Sequence, residues 1–228
     1  MTMESNVWQI VALSLQVAGI AIIVALPVAF IVAWILARFN FPGKSFVQAI
    51  VTMPLVLPPV VTGYLLLVLF GSRGALGAPL QEWFGLSFSF RWTGAALAAG
   101  VMAFPLLVRP IRLSIEGLDR GLEEAARTLG ANRLVAFCTV ILPPLLPGIL
   151  AGAVLGFAKA LGEFGATITF VSNIPGETQT LSLAIYALMQ TPTGDAEAFR
   201  LIAISAAISI AAVILSEWLQ RRLAGEAK

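Results

Sequence analysis

Glu124-Ala125-Ala126-Arg127-Thr128-Leu129-Gly130, followed by Val140-Ile141-Leu142-Pro143, is the stretch on which the reading of this chain turns. Asp119 is placed to cap a helix by accepting from its orphan amides. Glu123 and Glu124 fall near the first turn, where the helix dipole favours carboxylates. Gly130 ends the helix because it tolerates the left-handed conformation. The spacing therefore predicts a helix over about 120–129, roughly 15 Å long at 1.5 Å per residue. Leu122, Ala125, Ala126 and Leu129 recur at i, i+3, i+4 and i+7, which makes one narrow apolar stripe on a charged helix. Asn132 is placed to cap the helix that follows.

The segments on either side are of another kind. The chain is 59% hydrophobic and only 11% charged over 228 residues, against about 25% charged in ordinary globular domains. A soluble domain of this size would have no room to hide that much apolar surface, so part of its solvent is lipid. Residues 5–37 carry no charge, and the apolar run is too long for a cleavable signal peptide. Five spans are predicted, at about 11–36, 47–70, 92–112, 138–160 and 200–218; each is near the ~20 residues that cross a bilayer. The expected architecture is a single all-α integral membrane domain over 1–228. Pro27 is expected to kink or unwind the first span. Pro54, Pro58 and Pro59 cluster in the second, and Pro143, Pro144 and Pro147 open the fourth. Residues 164–190 are interrupted by Asn173-Ile174-Pro175-Gly176-Glu177 and are expected to form a re-entrant or surface hairpin on the outer side rather than a sixth span.

Basic residues set the orientation. With five spans, one side carries Arg38, Lys44, Arg109, Arg112, Arg120, Arg127, Arg133, Arg221, Arg222 and Lys228, which is ten of the 14 Lys and Arg residues. The positive-inside rule then puts the N-terminus outside and the C-terminus in the cytoplasm, with the Glu124 helix cytoplasmic too. A sixth span would send Arg221, Arg222 and Lys228 outside.

Several chemistries are excluded. There is no histidine, hence no Ser-His-Asp triad and no His-ligated metal. Cys138 is the only cysteine, so no intrachain disulfide forms; beside an apolar run it is expected to be buried filler. Phe41-Pro42-Gly43-Lys44-Ser45 carries the tail of a phosphate-loop pattern, but Arg38 stands where the first glycine belongs and a membrane helix precedes it. It reads as a tight turn between spans. With no nucleotide site in the chain, any energy from ATP comes from a partner. A helix of this kind lies on lipid headgroups or docks in a partner's groove. Two alanines make a poor lipid anchor, which favours the groove.

Glu-Ala-Ala, three residues, Gly, nine residues, Ile, one residue, Leu-Pro is the signature of permease subunits of ATP-binding-cassette importers. This chain resembles it at Glu124, Ala125, Ala126, Gly130, Leu142 and Pro143, with Val140 in the isoleucine position. The resemblance covers nearly the whole chain. Leu55 to Tyr64 and Gly162-Glu163-Phe164-Gly165-Ala166-Thr167 resemble the branch that carries tetrahedral oxyanions. Asn173 to Thr178, with Ile185-Tyr186, looks most like the molybdate permeases; sulfate/thiosulfate and tungstate permeases are the alternatives within the family. The resemblance implies a type I importer-like core that binds no cofactor itself, with ATP and Mg on a partner ATPase. It implies two copies of that ATPase, a second copy of this permease, an external molybdate-binding protein, surrounding lipid and no nucleic acid. Residues Leu122, Glu124, Ala125, Ala126, Leu129 and Gly130 then form the ATPase-coupling helix. A secondary transporter or channel is the rival class, but the span interiors lack the carboxylates that proton-coupled carriers use.

A pathway for a dianion must not bind its cargo too tightly. Hydroxyl and small residues suit that, so Thr62, Gly63, Thr167 and Thr169 are candidates for pathway or gate; threonines bonding their own helix backbone are the plainer reading. Lys159 and Glu163 are four apart and share a helical face. Charges near membrane depth are costly and often functional. The pair reads as a neutralising clasp or as an anion contact.

Overall fold

The computed structural model describes residues 3–225, so Lys228 of the charge count lies outside the described residues. All regular structure among them is helical. The order is α1 (Met3–Arg38), α2 (Lys44–Val56), α3 (Pro59–Phe70), α4 (Gly77–Phe84), α5 (Trp92–Glu116), α6 (Arg120–Thr128), α7 (Arg133–Ala136), a π-helical turn (Phe137–Ile141), α8 (Leu142–Leu161), α9 (Gly165–Val171), α10 (Leu181–Met189) and α11 (Asp195–Gly225). By length and apolar composition, α1, α5, the run Arg133–Leu161 and α11 each suffice to cross a bilayer. The α2–α3 pair is long and apolar enough only when taken together, and counts as a fifth crossing if the bent pair is one span.

The break falls inside the second span predicted at 47–70, at its proline cluster. The helices meet at 115°. Leu57 precedes Pro58, and Pro58 precedes Pro59, so both are held in extended conformations (ψ 144° and 133°); a residue before proline is pushed out of the α region. Pro27 behaves otherwise. It sits inside α1 without interrupting it, and α1 is longer than the 11–36 run. The C-terminal end of α5, both ends of α11 and both ends of the run Arg133–Leu161 also pass their predicted bounds, because hydropathy marks the apolar part of a helix and not its caps.

The core is built around α5. Its Ala95, Ala99, Met102, Ala103, Leu107, Ile111 and Ile115 are buried, with α1 on one side and α8 on another. Against α1 the contact is small on small: Ala18, Ala21, Ala29 and Ala33 are buried there. Against α8, Gly148, Gly152 and Gly156 form a four-residue repeat, all three buried. A Cβ at Gly152 would stand 3.0 Å from the Leu107 carbonyl oxygen, and one at Gly156 2.9 Å from the Leu107 side chain; one at Gly148 would run into Ser114 and Pro110. In lipid, where apolar side chains gain nothing by leaving solvent, such close backbone approach is what binds helices together.

The segment between α8 and α11 is a pair of short helices, α9 and α10, joined by an irregular loop. Thr178, fully buried, ties that loop: its Oγ1 donates to Ser172 O (3.0 Å) and accepts from Ile174 N (2.8 Å). Ser14 of α1 pins the far side by accepting from Leu181 N at 2.7 Å, while donating to Ile10 O. Replacing Gly152 by leucine forces α8 off α5. The expected cost is roughly 1–3 kcal/mol, seen as a lower unfolding temperature in detergent, whereas Gly19→Ala, whose added Cβ meets nothing within 4 Å beyond its own stretch of helix, should not lower it.

Candidate functional site

Two places gather the residues singled out from sequence. The first is α6. Asp119 caps it, its carboxylate accepting from Gly121 N at 2.9 Å. Gly130 closes it at φ 89°, with Ala131 N donating to Ala126 O and Gly130 N to Arg127 O, both at 3.1 Å; this paired reversal is what a left-handed residue after a helix permits. Asn132 then caps α7 through Val135 N at 2.8 Å. The apolar stripe has no cover. Leu129 is 89% exposed and Leu122 45%; Ala125 and Glu124 are exposed and Ala126 is half-buried. Leu134, 75% exposed, extends the patch onto α7.

The link from α6 to α8 is unusual. Leu142 N donates to Phe137 O, five residues back, and Pro143 and Pro144, lacking N–H groups, add no bond from the next turn. The widened turn sends Phe137 against Phe30 and Trp34, at ring separations of 6.2 and 5.9 Å, and Arg38 lies 5.1 Å over the Trp34 ring. It also turns Cys138 outward. That thiol is exposed, against the expectation of buried filler, because Phe137 takes the inward position.

The second place is the seam between α3 and α9. Gly63 packs on α9 so closely that a Cβ would lie 2.5 Å from Ala166 O and 2.9 Å from Thr169 Cβ. Pro59 closes on Gly165 from the same side. Thr62 is buried and its Oγ1 has no hydrogen-bond partner. Thr167 is buried on α9, and Thr169 donates to its own helix at Gly165 O (2.9 Å). Lys159, in the last turn of α8, pairs with Glu163. The other oxygen of Glu163 accepts from Ala166 N at 3.0 Å. One buried carboxylate therefore joins the end of α8 to the start of α9, directly behind Gly63. Thr62, Gly63, Glu163 and Thr169 converge on this seam, with Lys159 reaching it through Glu163. The seam lies far along the chain from α6, and the α8 glycines connect the two regions through α5.

The turn at Phe41–Lys44 is as plain as its sequence. Gly43 takes φ 88° and Lys44 Nζ donates to Asn40 Oδ1 at 3.2 Å. Among the described residues, no three His, Cys, Asp or Glu side chains come together to hold a metal ion. Ser14, Thr178 and the glycine stripe of α8 carry structural weight that the motif reading passed over. A hydroxyl set in the middle of an apolar run was the signal for Ser14, and a four-residue repeat that for the glycines.

Residues 10–225 match the family described as "Binding-protein-dependent transport system inner membrane component". The chain belongs to that family. It is thus a multi-pass inner-membrane component of an importer system, not a secondary transporter or channel. It is 56% identical to the molybdenum transport system permease protein ModB of Escherichia coli K12, over 94% of this chain and 93% of that one. To the sulfate transport system permease protein CysT of the same organism it is 37% identical, over 86% of this chain and 71% of that one. Among solved structures, a bacterial importer of the acidic polysaccharide alginate superposes with a TM-score of 0.72 at 19% identity, covering 94% of this chain and 78% of that one. The shared frame is that of type I importer permeases.

The clasp is open to a direct test. Breaking a buried ion pair from one side costs roughly 3–5 kcal/mol, less here because Lys159 keeps 30% of its side chain exposed. Lys159→Met and Glu163→Gln should each lower thermal stability. In the double variant the loss should be less than additive, with a coupling of about 1–2 kcal/mol; additive losses would mean the pair does not act as a unit.

Proposed function

We propose that this chain is the membrane-spanning permease of an ATP-driven molybdate importer, a single transmembrane domain that moves the anion inward by alternating access. The cargo is supported by identity: the relatives named for molybdenum transport stand at 56%, the sulfate permease at 37%. Tungstate, a tetrahedral anion of nearly the same size, is the alternative cargo. The mechanism is supported by one observation, the capped helix α6 with its apolar stripe uncovered. Helices fill such a role by laying their apolar face in a partner's groove.

On this reading the partner is an ATPase subunit, present in two copies and holding ATP and Mg, while this chain binds no cofactor. Two copies of the permease enclose the pathway, and an external molybdate-binding protein delivers the anion. The N-terminus lies outside and the C-terminus in the cytoplasm, so that α6 faces the ATPase. When the ATPases close they move α6 of each copy, and Gly130 and the π turn pass that motion into α8. The far end of α8 carries Lys159, whose bond to Glu163 ties α8 to the start of α9, the helix packed on α3. Thr62, Gly63, Thr167 and Thr169 then form the gate, closed where Gly63 meets Ala166.

Burying a leucine contributes roughly 1.5–3 kcal/mol, so Leu129→Ala should weaken ATPase association about tenfold or more. Leu129→Glu should abolish co-purification with the ATPase yet leave permease stability within about 0.5 kcal/mol, as surface changes do. Gly130→Pro, which cannot adopt φ 89°, should stop uptake while the chain still inserts; unchanged uptake would sink the coupling role. For cargo, excess unlabelled molybdate or tungstate should compete with labelled molybdate uptake and excess sulfate should not. Equal competition by sulfate would make this a general oxyanion permease.

A further inference from the structure

A crevice of about 380 Å³ lies between α2 and the end of α5 that leads into α6. From α2 it is lined by Gln48, Val51, Thr52 and Leu55, one helical face, and from α5 by residues between Pro105 and Glu116. Its polarity is graded along α5. Pro105 and Leu106 are apolar, and Arg109 and Arg112 follow within ~9 Å at 1.5 Å per residue. At the polar end Arg112 Nε is tied to Glu116 Oε1 at 2.7 Å, which neutralises one charge. Arg109 is exposed and has no ion pair or side-chain hydrogen bond among the described residues. The Thr52 hydroxyl donates to its own helix at Gln48 O and keeps its lone pairs. The crevice thus has an apolar throat and a mouth with one uncompensated guanidinium.

We propose that this crevice is a binding site for an anionic phospholipid of the leaflet on the α6 side. The phosphate pairs with Arg109, with the Gln48 amide in reach, and an acyl chain lies along Val51, Leu55 and Leu106. Charge complementarity selects the headgroup: a guanidinium forks onto phosphate oxygens, and basic pockets between membrane helices recognise anionic lipids in this way. The apolar wall of Val51, Leu55 and Leu106 suits an acyl chain, which a free inorganic anion does not carry.

Native mass spectrometry of the full-length protein in detergent, with phosphatidylglycerol or phosphatidylcholine added, reads the site directly. The wild-type chain should retain phosphatidylglycerol about fivefold better, the effect of one basic residue near an anionic group. Arg109→Gln should reduce retention to the phosphatidylcholine level. Val51→Trp, which fills the throat and leaves every charge in place, should do the same. Arg73→Gln, on an exposed loop beyond α3, should change nothing. Unfolding temperatures of all three variants identify any that has failed to fold, and the remaining throat or mouth variant then decides. Equal retention by Arg109→Gln and wild type overturns the proposal, as does an equal loss in Arg73→Gln. Inorganic phosphate added in place of lipid should not be retained; retention equal to that of phosphatidylglycerol also overturns the proposal in favour of a free anion. Lipid retention is read without transport, so failure here leaves the importer reading standing.

Discussion

The close approach of α8 to α5 is the contact on which the rest of the molecule depends. Both helices are apolar, and hydrophobicity cannot hold them together in a bilayer whose chains are equally apolar. What remains is packing. Gly148, Gly152 and Gly156 remove side chains from one stripe of α8, so that the helix seats against the Leu107 backbone and Ser114. The alanine face of α1 completes the arrangement on another side of α5. Once these three helices are fixed, their ends are fixed too. One end of α8 receives the π turn from α6, and the other presents Lys159 to Glu163. A helix of 20 residues, about 30 Å long, therefore joins the α6 link to the α9 seam.

The two ends of that helix are built by opposite means. At the α6 end the structure is local and wet: a side-chain cap, a left-handed glycine, a second cap at Asn132. Each of these bonds spans a few residues and can form in a short peptide. At the α9 end the structure is buried and long-range. Glu163 is 3% exposed, and leaving such a charge unpaired is expensive, so it is held by both a lysine and a backbone amide. Groups that must stay rigid while others move are well served by this arrangement, because the carboxylate cannot release one partner without exposing the cost of the other.

This contrast also explains what could be read from the chain. The caps of α6 and α7, the pairing of Lys159 with Glu163 and the interrupted segment at 164–190 were legible, since each depends on spacings of two to four residues or on a proline and a glycine in place. The second span was half legible. Its prolines were visible, but a 115° turn emerges only when two successive residues are both forced out of the α region. Cys138 was misread because the π turn shifts the register of inward and outward faces, and hydropathy assumes an α period. Ser14 was invisible as a partner of Leu181, from which it is separated by 167 positions. No local rule connects them.

The frame itself does not choose a cargo. An importer of an acidic polysaccharide shares this fold with a TM-score of 0.72 while only 19% of residues agree, so what the two have in common cannot distinguish a polymer from a small tetrahedral anion. Whatever discrimination this chain adds to that of the protein that delivers the anion lies in residues the frame leaves free. Along α3 and α9 the free positions are few, because Gly63, Gly165 and Ala166 are committed to contact. Thr62 is different. Its hydroxyl is buried without a partner, a state that costs roughly 1–3 kcal/mol and persists only if packing around it demands a residue of that shape or if another state of the gate supplies the missing bond. On the importer reading the second alternative gives the hydroxyl a purpose: opening the seam would uncover it to the passing anion. A hydroxyl binds an oxyanion weakly, and weak binding is what release on the far side requires.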